Sequence, residues 1–151
     1  MSGTAGAAYT YANVCDLVDH AELTDVRMYE ITGQRIGSEE SRFSLEVITH
    51  IELTEIEIRC RTAVEGGGAQ YKIDAGAVFS VDPPGIVPPE VVQEFAEKVG
   101  VMSVYPYARS AISNLGAQLG VDRPTLPLLR AGGVRLNNHD AVPEESEPTP
   151  G

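Results

Sequence analysis

The run SRFSLEVITHIELTEIEIRCRTAVE, residues 41–65, limits the fold more than any other part of the chain. Phe43, Leu45, Val47, Thr49, Ile51 and Leu53 fall on odd positions, and Ile56, Ile58, Cys60, Thr62 and Val64 on even ones. Alternation with period two describes a strand with one buried face. The apolar face changes parity at Thr54 and Glu55, which requires a bulge or a turn between two strands. Glu52, Glu55 and Glu57, beside Arg59 and Arg61, read as a solvated sheet face.

Two more strands follow from the same pattern. EGGGAQ, residues 65–70, is a hairpin connection, because no Lys-Ser/Thr follows the glycines and no helix opens there as a phosphate loop needs. YKIDAGAVFSV, 71–81, returns with Tyr71, Ile73, Ala75, Ala77, Phe79 and Val81 on one face, and Gly76 interrupts the other, where the close approach of another backbone is expected. Upstream, TDVRMYEITGQRIG alternates, with Val26, Met28 and Glu30 on one side and Asp25, Arg27, Tyr29 and Ile31 on the other, in a strand expected to end near Gly37.

Three helices are expected. Val14, Leu17, Val18 and Ala21 share a helical face after Asn13, a capping residue. Cys15 and His20 on this helix lack a second pair of ligands, so no metal site is read there, and both cysteines are expected to be small buried residues. After the stiff connector DPPGIVPP, the segment PPEVVQEFAEKVG has Pro89 in a first turn, a stripe of Val91, Val92, Phe95 and Val99, and Gly100 as its C′ residue. SVYPYARSAISNLGAQLG, 103–120, is then a separate helix started by Pro106. Ala108, Ile112, Leu115 and Leu119 form its buried stripe, beside a small-residue stripe of Ser113, Gly116, Ala117 and Gly120. Arg109 in its first turn would oppose the helix dipole, which calls for a carboxylate or carbonyl partner within the chain or across a subunit interface.

Residues 1–12 read as a flexible leader, 13–136 as one domain, and 137–151 as a disordered acidic tail carrying Asp140, Glu144, Glu145 and Glu147. The net charge of −11 argues against a nucleic-acid partner, since phosphates would be repelled. The chain shows no apolar span and no signal peptide, so a cytoplasmic location without membrane insertion is expected. His20, His50 and His139 stand in a helix, a strand and the tail, and no HExxH, GxSxG or phosphate loop occurs. The chain is therefore not expected to be an enzyme, and neither a cofactor nor a metal is expected.

The YPYAR at 105–109, preceded by the apolar VMSV, resembles the signature helix of the SecB export chaperones. GAVFSV at 76–81 and LGVDRPTLPLL at 119–129 resemble that family's strand end and post-helix segment, in the same order and spacing. The resemblance implies an α+β fold, a four-stranded antiparallel sheet with helices packed on one face. It implies a homotetramer, a dimer of dimers joined by edge strands and by the long helix, with Tyr105, Tyr107, Arg109, Ile112, Ser113 and Gly116 as interface residues. The implied function is ATP-independent holding of unfolded or nascent polypeptides, with Phe43, Leu45, Val47, Leu126 and Leu128 lining the client groove. Asp25 fits an acidic position that docks the translocase motor SecA in the family, Glu30 lies close by, and Lys72 stands where the last strand's acid is expected. A C-terminal amphipathic helix that walls the family's groove has no counterpart in RAGGVRLNNHDAVPEESEPTPG, and the N-terminal helix is an addition. These departures also resemble SecB-like proteins that serve a toxin–antitoxin pair, whose client is an antitoxin. The alternative is a structural oligomer or a dedicated protein-binding partner without general chaperone activity.

Overall fold

The computed structural model describes residues 9–122, 124 and 126. Four long strands, β2 (Ala21–Arg35), β3 (Arg42–Ile51), β4 (Glu55–Gly66) and β5 (Ala69–Val81), form one antiparallel sheet in the order β2-β5-β4-β3. The parity change resolves as a tight turn at Leu53–Thr54, where Glu52 and Glu55 exchange main-chain hydrogen bonds. Ile51 pairs with Ile56 and Ile56 with Phe79, while Val47 pairs with Cys60 and Cys60 with Ala75. The three apolar stripes thus fall on one face, as expected. Gly67 and Gly68 close the β4–β5 hairpin at φ of 66° and 85°, values that suit glycine.

Strand β2 departs from strict alternation. It carries register shifts between Leu23 and Asp25 and between Met28 and Glu30. Beyond the second shift, Ile31 pairs with Ile73 and joins the face of Met28, while Glu30 pairs with Asp74 on the open face. Glu30 and Ile31 therefore exchange the sides that alternation assigns to them.

Helix α1 (Val14–His20) is capped by Asn13, whose side chain accepts the Asp16 N–H at 2.9 Å. Within the expected leader, β1 (Tyr9–Thr10) runs parallel to β6 (Gly85–Ile86). Tyr11 is fully buried and its hydroxyl donates to Pro83 O, so residues 9–11 belong to the fold. Cys60 is buried, whereas Cys15 is exposed on α1.

The two helices expected over 88–120 form one continuous rod. Helix α2 (Pro89–Phe95) passes through a wide π turn, Ala96–Gly100, into α3 (Val101–Leu119). Gly100 is helical, φ −63° and ψ −51°, not a C′ residue. The rod crosses the sheet closely here, and a Cβ on Gly100 would lie 2.5 Å from Ile58 Cγ1. Pro106 is inside α3, and Arg109 lies beyond the first turn. A proline in a helix interior gives up one hydrogen bond, a loss that packing against the sheet can offset. The expected end is found: Gly120 is left-handed and caps α3. The helices cover two core clusters, one with Leu17, Ile58, Phe95 and Val104 fully buried and the other with Ile73 and Ile112, and Phe43 packs against both. Positions expected over 127–151 lie outside the described residues.

Candidate functional site

Strand β3 ends the sheet on one side. The Glu52–Glu55 exchange sets the phase of its ladder, so even-numbered residues of β3 bond to β4. Phe43, Leu45 and Val47 therefore turn their N–H and C=O groups to the outer edge, which no strand among the described residues covers. Their side chains turn to the helices. Leu45 and Val47 are buried in the core, and Phe43 is half-buried with its ring edge-to-face on Tyr105 at 6.3 Å between centroids.

Phe43 and Leu126, far apart in sequence, line one concavity of about 360 Å³ with Val64, Gly66 and Pro124. A second, of about 570 Å³, shares Pro124 and Leu126 with the first and is lined also by Pro106, Arg109, Ile112 and Ser113 of α3. A third, of about 610 Å³, shares Phe43 and Val64 with the first. Leu128 lies outside the described residues.

The residues expected at a subunit interface divide into two sets. Tyr105, Ile112 and Gly116 are buried in the chain's own core, whereas Tyr107 and Arg109 are exposed and Ser113 is half-buried. No ion pair to Arg109 forms among the described residues. A further apolar surface escaped the sequence reading. Leu23, Met28 and Ile31 of β2, on the helix side of the other sheet edge, are 44%, 39% and 48% exposed. The register shift hid this stripe, because alternation sends Ile31 to the opposite face.

The open face of the sheet is charged. Asp25 and Glu30, the expected motor-docking acids, are exposed on β2 and flank Arg27, which lies 3.5 Å from Asp25. Asp74 is nearly buried at the centre. Arg59 donates to both its oxygens at 2.8 Å, and Arg61 approaches one at 3.4 Å. The Arg59 guanidinium holds the Asp74 carboxyl below its usual range against the opposing effect of burial. Exposed Lys72, the departure from the expected acid, lies one position along the open face from Asp74, in register with Ala63 and Thr32. His20 and His50 sit on different elements beside Asp16 and Glu52. No group of three metal-ligating side chains occurs among the described residues, and no described helix is long and apolar enough to cross a membrane. The arrangement offers apolar concavities and two strand edges left unpaired among the described residues, which are means of binding polypeptide.

No family model matches the chain. It is 51% identical over 130 residues to SecB-like chaperone SmegB of Mycolicibacterium smegmatis, covering 85% of this chain and 89% of that protein. Its fold matches the Mycobacterium tuberculosis SecB-like chaperone Rv1957, solved in complex with a ChAD peptide from the Rv1956 HigA1 antitoxin. The TM-score is 0.59 at 18% identity, covering 74% of this chain and 92% of that one. With half of its residues shared along most of its length, and with the sheet order and helix layer in place, the chain belongs to the SecB-like chaperones.

Proposed function

We propose that this protein is an ATP-independent holdase that binds a non-native polypeptide in the cytoplasm and performs no covalent chemistry. The 51% identity to a SecB-like chaperone carries the reading. The client lies along β3, where Phe43 offers its ring, and Leu45 and Val47 offer free main-chain groups, and continues to Leu126 and Leu128. Apolar burial there is worth about 25 cal/mol per Å² and is not directional, while main-chain pairing is indifferent to side-chain identity. Both favour a client defined by extended, apolar sequence.

The working form in this reading is a tetramer. Edge pairing of β2 makes dimers, and the outward side of α3 around Tyr107, Arg109 and Ser113 joins them. The client is an antitoxin-type dedicated partner, supported by the fold's likeness to a chaperone solved with an antitoxin peptide. Export through the motor SecA is the second reading, supported by the exposed Asp25 and Glu30.

Light scattering from a dilute, refolding client, with this protein added at rising ratios and without nucleotide, tests the holdase. Suppression saturating near one client per tetramer is expected. No suppression at excess, with a synthetic antitoxin segment equally unbound in calorimetry, would overturn both client readings and leave a structural oligomer.

A further inference from the structure

Between Met28 and Glu30, β2 carries one residue more than β5 opposite. That residue is Tyr29. Its hydroxyl donates to Glu57 Oε2 at 2.5 Å, on β4, two strands away. Glu57 passes over the intervening β5 at Gly76, where a Cβ would clash with the same oxygen. Arg27 approaches the other carboxylate oxygen at 3.8 Å. Arg59, itself held by Asp74, places its guanidinium 4.1 Å from the centroid of the Tyr29 ring.

The extra residue decides which side chains β2 shows. Without it, alternation would turn Glu30 and Thr32 toward the helices. With it, Ile31 and Gly33 take those places, opposite Ile73 and Tyr71. Gly33 then admits Leu115 of α3, whose Cβ would stand 3.4 Å from an added Cβ. Ile31 extends the exposed stripe begun by Leu23 and Met28, along a strand at the end of the sheet.

We propose that Tyr29 and Glu57 are the positioning residues of the assembly edge: their contact over Gly76 holds β2 in the register that presents Leu23, Met28 and Ile31 to a second copy of this chain. The proposal rests on the edge-pairing reading above. A second copy suits this edge for two reasons. An antiparallel partner strand supplies both main-chain bonds and apolar cover. Asp25 and Arg27 carry opposite charges two residues apart, so a two-fold pairing centred on Val26 sets each against its complement.

The test is sedimentation equilibrium over a dilution series of the full chain, with Y29F, E57Q and G76A as variants. Each is assayed at a temperature where circular dichroism shows it fully folded. Each variant is expected to dissociate at a concentration at least fivefold above wild type. G76A acts with Tyr29 and Glu57 intact, by displacing the carboxylate. The Y29F/E57Q double variant should be no weaker than the worse single one, and amides of residues 30–33 should exchange faster in all. Wild-type dissociation constants in the variants, or singles that simply add, would overturn the latch. A wild-type chain that stays monomeric at every concentration would remove the edge pairing itself, and the latch with it.

Discussion

Gly100 and Ile58 meet so closely that a methyl group cannot come between them. A Cβ at Gly100 would lie 2.5, 2.6 and 2.7 Å from three side-chain atoms of Ile58. This contact lets the π turn lie on the sheet and makes one rod of α2 and α3.

Gly100→Ala should therefore destabilise the protein by about 1–3 kcal/mol through overpacking, although alanine is the better helix former. Urea denaturation measures it, and since valine keeps Cβ and both Cγ atoms of Ile58, adding Ile58→Val should not recover the loss. An unchanged or raised midpoint in the single variant would contradict the close approach.

Asp74 gives a pH-dependent prediction. Its folded pKa is depressed, by Arg59 first, so its contribution is present above the unfolded carboxylate value, about 3.9, and is lost as pH falls below that value toward the folded pKa. At pH 7, Asp74→Asn should cost about 1.5–3 kcal/mol, the range for hydrogen bonds to charged groups. The difference from wild type should stay level from pH 7 to 5 and shrink below about pH 4. Parallel stability curves for the two proteins through pH 3 would contradict the pairing.

Leu45 and Leu126 should separate stability from binding. Leu45→Ala empties a core position and should cost about 2–5 kcal/mol. Leu126 is only half-buried at the concavity, so Leu126→Ala should cost under about 1 kcal/mol while weakening client binding several-fold. Thermal melts and client titration of the same samples make the comparison. Unchanged client affinity in Leu126→Ala would move the groove elsewhere.

The cysteines should react in sequence. Burial pushes the Cys60 thiol up to about 12, whereas Cys15 is exposed. At pH 8 a thiol reagent should modify one cysteine quickly, with the second following only on unfolding. Two fast thiols in the native protein would show the sheet to be open at Cys60.

The local sequence was sufficient to identify β3, β4 and β5, because period-two alternation and the hairpin glycines act between neighbours in the chain. It likewise identified the caps at Asn13 and Gly120 and the start of α2 at Pro89, which are satisfied within a turn. The resemblance in YPYAR and the segments around it pointed to the family. Tertiary structure decided the rest. Gly100 and Pro106 look like punctuation in sequence, yet the helix runs through both, since the sheet surface at Ile58 sets the packing distance. The faces of β2 beyond Tyr29 could not be read from alternation, because the extra residue is held by Glu57, two strands and 28 positions away. Likewise, no local pattern places Phe43 beside Leu126 or buries Leu45 and Val47 while leaving their main chain at an edge. Such features depend on which strand ends the sheet and where the helix layer stops, and only the packed molecule sets those limits.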